Sequence, residues 1–227
     1  ASTVVSPTSY EKSYWMKKHV RYDGYPFLGY LHPNYYKPDT KVLDDLGIGK
    51  DERFAVLRFV GFGALHDVGH KTYKHREALI RTVEEHCRVL ISCEGPLSKE
   101  LEPKRVHVPG DQMHDLLYHA SLYLGEGGTM ACEAAGLGTP SIFFSELNLG
   151  YLNDLEKRYG LVRVCRTADK ADAAARELLS APSTKAEWKG KRERMIEEKE
   201  DVVTFVADLA ERYPESVRER LGRGQRG

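Results

Sequence analysis

The chain has 227 residues, enough to bury a real core in one large domain or in one domain with extensions. Lys+Arg and Asp+Glu both number 34, so no net charge draws the molecule as a whole to nucleic acid or to an anionic membrane. Four scattered cysteines without a CxxC pair argue against a zinc or disulfide framework. No apolar stretch approaches the roughly 18 residues of a membrane span, and no signal peptide is visible. This reads as a cytoplasmic chain, with peripheral contact to a membrane left open.

In chain order, Ala1–Ser6 looks like the tail of a strand already under way, which suggests a fragment whose N-terminal part is missing. Ser9 is placed to cap a short helix over 10–18, and His19-Val20-Arg21-Tyr22 is strand-like. Gly24, Pro26, Gly29, Pro33 and Pro38 then punctuate a stretch unsuited to regular structure, the composition of a linker. From residue 53 the pattern becomes alternating. Strands are expected at 53–60, 88–93, 106–108, 121–125, 140–145 and 161–165. Helices are expected near 74–87, 112–120 (capped by Asp111), 129–137, 150–159 and 168–180. Near-continuous apolar strands alternating with helices imply a doubly wound parallel sheet, a Rossmann-like α/β domain with ligands beyond the carboxyl ends of the strands. The resulting domain scheme is 1–40, the end of a missing domain plus a linker; 41–182, the α/β domain; and 183–227, charged helices. In the tail, Trp188, Met195, Val202, Val206, Leu209 and Tyr213 fall on about one helical face.

The strongest local feature is residues 121–144, SLYLGEGGTMACEAAGLGTPSIFF. A strand ends at Leu124, glycines occupy 125, 127 and 128, and a helix starts near Thr129. Glycines let a backbone approach a ligand and adopt positive φ, and the first helical amides suit a phosphate. Thr129 adds a hydroxyl, and Glu133, one turn on, is placed to accept hydrogen bonds from a ribose. The competing reading is a tight turn with an exposed glutamate. No GxxxxGK[ST] occurs, and GFGALH at 61–66 lacks the third glycine of a dinucleotide fingerprint.

With its strand, GGT turn, Glu-Ala-Ala helix and GLGTP, this segment resembles the nucleotide-sugar site of GT-B-fold glycosyltransferases and the related UDP-N-acetylglucosamine 2-epimerases. A closer resemblance is to an uncharacterised, mostly archaeal family of two-domain GT-B-like proteins, a domain of unknown function. It shares Tyr30-Leu31-His32-Pro33, Arg58-Phe59-Val60, His66-Asp67-Val68-Gly69-His70, Ser92-Cys93-Glu94-Gly95 and the GGTM…EAA segment. It covers roughly residues 1–180. The resemblance implies the C-terminal, donor-binding half of a glycosyltransferase of hexosyltransferase type, inactive alone, with an N-terminal domain absent. Gly127, Gly128, Thr129 and Met130 would hold the diphosphate of a UDP-type sugar donor, Glu133 the ribose, and the loop with Pro109, Gln112 and Met113 the base. The acceptor is unknown. No cofactor and no metal are implied. A 2-epimerase or a non-catalytic nucleotide-binding module remain as alternatives.

Other residues are candidates for the same cleft. His66, Asp67 and His70 follow the first strand of the domain; they are read as phosphate or acceptor contacts, or as loop-stabilising hydrogen bonds, ahead of a metal site. Arg58, near a strand's carboxyl end, requires a partner if buried: Glu94, beside Gly95, or the diphosphate itself. Glu126 must point away from a bound phosphate. His114 and His119 are expected to carry no chemistry.

Overall fold

The computed structural model describes residues 3–10, 18–59, 71–93 and 95–223. The chain divides into two compact units, one made of Ala1–Tyr36 with Arg194–Gly227 and the other of Lys37–Glu193.

The larger unit is built on five parallel strands, β3 (Phe54–Arg58), β4 (Arg88–Ile91), β5 (Leu122–Gly125), β6 (Ser141–Phe144) and β7 (Val162–Cys165), in the order β4-β3-β5-β6-β7. The three inner strands are apolar on both faces: Ala55, Val56, Leu57, Leu122, Leu124, Ile142 and Phe143 are fully buried. A strand apolar on both sides needs cover on both, and the connecting helices supply it. Right-handed crossovers put α3 (Lys71–Glu84) and α7 (Ala168–Ser180) on one face. On the other lie α4 (Met113–His119), α5 (Gly128–Gly136) and α6 (Gly150–Asp154, continued by one π-helical turn at Leu155–Tyr159). The contacts agree: α3 packs on α7, and α5 packs on both α4 and α6. This is the doubly wound, Rossmann-like α/β fold expected from the alternation. A short α2 (Lys41–Asp45) precedes the sheet.

The smaller unit pairs β1 (Val4–Pro7) with β2 (His19–Tyr22) in parallel, so the neighbour required by the opening strand comes from later in the chain. Around this pair are α1 (Leu28–Leu31), α9 (Val202–Glu211) and α10 (Glu215–Arg223); the longer α8 (Thr184–Glu198) contains the boundary between the units. The expected helix over 10–18 falls largely outside the described residues.

Four local expectations are corrected. The proline- and glycine-punctuated stretch holds a helical turn, α1, because Tyr25, Phe27, Leu28 and Leu31 are buried and pull it into the core. Val106-His107-Val108 is not a strand: beyond β4 the pairing is a single bridge between Ile91 and Arg105. Asp111 does not cap α4, which is entered through a 3-10 turn at Gly110–Gln112 without a side-chain cap. The apolar stripe of the tail is cut by breaks between α8, α9 and α10. Trp188, Met195, Val202 and Leu209 are buried, but Val206 and Tyr213 are about half exposed (49% and 50%).

Candidate functional site

The sheet order reverses direction between β3 and β5. From β3 the chain moves outward to β4, then crosses back to β5 on the opposite side. Ligands of doubly wound sheets lie in the crevice at this switch point, where the two flanking loops diverge. Arg58 ends β3 directly beside Gly125, which ends β5. A cleft of about 610 Å³ opens there, with Arg58, Ser92 and Cys93 on its strand side and Val106–Gly110, Met113 and His114 facing them from the loop and α4. Met130 and Glu133 close it from α5.

The two charges inside come from different elements. Arg58 is half-buried and donates to the hydroxyl of buried Ser92 at 3.0 Å, which fixes its guanidinium along the mouth of β3 and β4. Glu133 keeps 13% of its side chain exposed, and its Oε1 lies 3.5 Å from Nε2 of His114. His114 was not expected to matter; the signal available was its place in the first turn of α4, the turn after the candidate base loop. His119 instead sets Nε2 3.0 Å from the Asp39 carbonyl oxygen.

The segment expected to cradle a phosphate is a strand-to-helix turn, and positive φ is not what its glycines supply. None of Gly125, Gly127 and Gly128 has positive φ; among described glycines that conformation occurs at Gly47, Gly138 and Gly160. Close packing explains two of them. A Cβ at Gly125 would lie 2.6 Å from the Arg58 carbonyl oxygen, and one at Gly128 would lie 2.5 Å from Leu149 Cδ1 and 2.7 Å from the Tyr151 hydroxyl. Gly127 has no such neighbour: the nearest atom is the Tyr123 hydroxyl at 3.8 Å. Gly127 is the N-cap of α5 and offers no side chain to the helix's first amides, and Thr129 is exposed beside them. Beneath the turn, the buried Tyr123 hydroxyl donates to the Gly127 carbonyl oxygen at 3.4 Å, and burial pushes this phenol well above its ordinary pKa. Burial also raises the Cys132 thiol, to about 12, so this cysteine is a packing group of α5. At the far end Gly138, at φ +78°, stops the helix, with its own N–H and that of Thr139 returning to Ala135 and Ala134 carbonyl oxygens. This is the Schellman stop that GLGTP encodes.

The carboxylate of Glu126 does point away from the cradle. Both its oxygens accept from Arg76 of α3, each at 2.8 Å, with Arg76 side-chain exposure only 6% and Glu126 15%. The guanidinium also lies 5.6 Å from the ring centroid of Phe59.

Of the candidate residues, the structure therefore gathers Arg58, Pro109, Met113, Met130 and Glu133 around one cleft and adds His107 and His114. Gln112 lies in the 3-10 turn leading into α4, and Gly127, Gly128 and Thr129 sit at the start of α5, outside the cleft wall. Gly95 is held through its carbonyl oxygen by Arg105 at 2.9 Å. His66, Asp67, His70 and Glu94 lie outside the described residues, and with them the Arg58–Glu94 pair and the GFGALH loop.

No protein-family model and no curated protein matches the sequence. Solved structures do share its fold. A protein from Listeria monocytogenes assigned as a UDP-N-acetylglucosamine 2-epimerase has a TM-score of 0.54 at 16% identity, over 83% of this chain and 52% of that one. WaaG, a glycosyltransferase involved in lipopolysaccharide biosynthesis, gives 0.54 at 16%, over 84% and 55%. The spinosyn forosaminyltransferase SpnP gives 0.53 at 17%, over 85% and 50%. The chain thus spans about half the length of these proteins, and its fold is the Rossmann-like half of a GT-B-type architecture.

Proposed function

We propose that this chain is the donor-binding half of a GT-B-like glycosyltransferase, which moves a sugar from a nucleoside-diphosphate carrier, UDP in type, to an acceptor. The observation that carries the reading is the switch-point cleft, where a half-buried guanidinium (Arg58) and a carboxylate (Glu133) face a common space beside the start of α5. In this reading the free amides of the first turn of α5, with the hydroxyl of Thr129, take the diphosphate. Glu133 accepts hydrogen bonds from the ribose hydroxyls, and Pro109 and Met113 lie against the base. Arg58 is the cation that balances charge on the departing diphosphate. The pinning of Glu126 by Arg76 supports the assignment, because it pairs off the carboxylate that sits in the turn itself.

A further domain would supply the acceptor site and the catalytic base, so the chain by itself binds nucleotide without turnover. Efficient transfer by the isolated chain would overturn that division of labour. The second reading, a sugar-nucleotide 2-epimerase, is supported by the Listeria protein of like fold. Product analysis of the two-domain protein separates them, since epimerisation leaves the nucleotide attached and transfer releases it.

The direct test is thermal stability with UDP, GDP, CMP and their sugar conjugates. Ligand at about 100 times its dissociation constant stabilises by about 2.7 kcal/mol. We expect one base to give this shift and Glu133→Ala to remove it. A shift that survives Glu133→Ala sinks the ribose assignment. The absence of any shift, in this chain and in a two-domain protein alike, sinks the donor reading.

A further inference from the structure

His114, the second residue of α4, turns its imidazole toward the carboxylate of α5, with Nε2 3.5 Å from Glu133 Oε1. Both side chains line the switch-point cleft, and α4 packs directly on α5. They are largely covered, at 26% and 13% exposure, so water screens the contact less than it would at an open surface. The turn that carries His114 is held from two sides. Leu116 and Leu117 are fully buried beneath it. Outside, Asp39 ties down both ends of the helix: its N–H donates to Asp115 Oδ1 at 3.1 Å, and its carbonyl oxygen meets His119 Nε2 at 3.0 Å. The first turn of α4 is therefore a fixed support, with Met113 on the cleft wall and His114 against Glu133.

A glutamate turns about several side-chain bonds, and an acceptor that must meet two adjacent hydroxyls gains from being held before the ligand arrives. The two glutamates of this region are held to opposite effect. Arg76 takes both oxygens of Glu126, each at 2.8 Å, and withdraws that carboxylate. The imidazole meets Glu133 at a single oxygen, which uses one of the roughly four acceptor positions a carboxylate offers. At 3.5 Å the contact is long for a hydrogen bond, and contacts of this kind tighten when a ligand closes the site. We infer that His114 is a positioning residue: it donates from Nε2 to Glu133 and sets that carboxylate for the cis-diol of a ribose, which makes the cleft selective for ribonucleotides over dideoxyribonucleotides. This rests on the donor reading, in which Glu133 meets the ribose.

Calorimetric titration of the chain with UDP and GDP, each beside its 2′,3′-dideoxy form, reads the effect. The wild-type chain should bind the ribonucleotide of one base about 10-fold more tightly than its dideoxy form, the worth of a hydrogen bond to a charged group. His114→Leu should erase most of that preference by weakening the ribonucleotide alone. His114→Gln, whose amide reaches the Nε2 position, should restore it. His114→Asn is too short to reach Glu133 and should behave as His114→Leu, so it carries the test if the leucine variant fails to fold. In a Glu133→Ala background His114→Leu should cost nothing further, because the imidazole acts through the carboxylate. No loss in His114→Leu, a loss equal for ribo- and dideoxynucleotide, or a loss undiminished without Glu133 overturns the positioning role and leaves the donor reading standing. Wild-type binding that ignores the ribose hydroxyls overturns the ribose assignment and the positioning role together. No binding of either nucleotide overturns it along with the claim that this chain binds nucleotide by itself.

Discussion

Arg76 and Glu126 form a bidentate pair almost out of water, and their energetics differ from those of the surface pairs on this chain. Removing one partner strands a charge in low dielectric, which costs about 3–5 kcal/mol, whereas replacing both is often nearly neutral. Glu126→Ala should therefore lower unfolding free energy in urea by about 3 kcal/mol, and Arg76→Met/Glu126→Gln should recover at least half of that loss. A Glu126→Ala variant as stable as the parent would mean the pair opens to solvent. Glu133 differs in kind. Its side chain keeps an edge on the cleft and meets His114 at 3.5 Å, so Glu133→Ala should leave stability within about 1 kcal/mol while removing nucleotide-induced stabilisation. Sequence spacing singled out both glutamates and expected Glu126 alone to turn away from a phosphate, but it did not show what holds Glu126 there. The discriminating fact is a partner fifty residues away on α3, which no local pattern announces.

At the scale of elements, α5 separates what packing requires from what a ligand requires. Gly128→Ala places a methyl against Leu149 and Tyr151 at 2.5 and 2.7 Å, and overpacking of this kind costs about 1–3 kcal/mol. Gly127→Ala meets nothing nearer than 3.8 Å, so it should cost less than about 1 kcal/mol, mostly through a poorer N-cap. If Gly127 is a point of close approach to phosphate, Gly127→Ala should still weaken nucleotide binding in calorimetry. The α3–α7 seam makes a prediction in pH. Asp172 of α7 accepts from the buried Thr82 hydroxyl of α3 and pairs with Arg176 at 3.0 Å, and these contacts hold its carboxyl below the ordinary 3.8. A depressed folded pKa means stability that is present above the unfolded value and lost as pH falls through the folded one. Since Asp172 is about one-third exposed, solvent screening limits the effect: Asp172→Asn should cost about 0.5–1 kcal/mol at pH 7. The difference between the proteins should close on acidification below 3.8. A gap that persists in acid would assign the loss to the hydrogen bond alone.

Elements of this kind were legible where a physical signal is local. The runs at 53–60 and 121–125 are apolar on both faces and became β3 and β5, and the alternation of such runs with helices was enough to indicate the doubly wound sheet. Non-local facts were not legible. Val106-His107-Val108 has strand composition, yet Arg105 holds the approach to it by donating to the carbonyl oxygens of Cys93 and Gly95 at 2.7 and 2.9 Å, and the segment ends as cleft wall. Tyr25 and Phe27 sit in a stretch that reads as linker by its glycines and prolines, and only their stacking, at 5.3 Å between ring centroids, reveals a core.

For the whole molecule, the two units differ in what they leave exposed. Among the described residues, Val5, Tyr10, Tyr30, Tyr35, Val203, Val206 and Tyr213 are large, apolar and exposed in the smaller unit, against Leu147 alone in the larger. The smaller unit also carries a sheet of two four-residue strands, a construction that is marginal without further cover. All residues of the proposed nucleotide site, by contrast, belong to Lys37–Glu193 and stand on a five-stranded sheet. Hydrogen exchange should register this contrast directly. Amides of β3 and β5, central and fully covered, should be the slowest in the chain, and those of β1 and β2 should exchange at much lower opening free energy. A nucleotide that binds as proposed should slow exchange in the first turn of α5 and in residues 106–114 while leaving β1, β2 and α9 unchanged. Protection that spreads into Val4–Tyr22 or α9 would mean that the smaller unit contributes to the site, and that the cleft between Arg58 and Glu133 is only part of it.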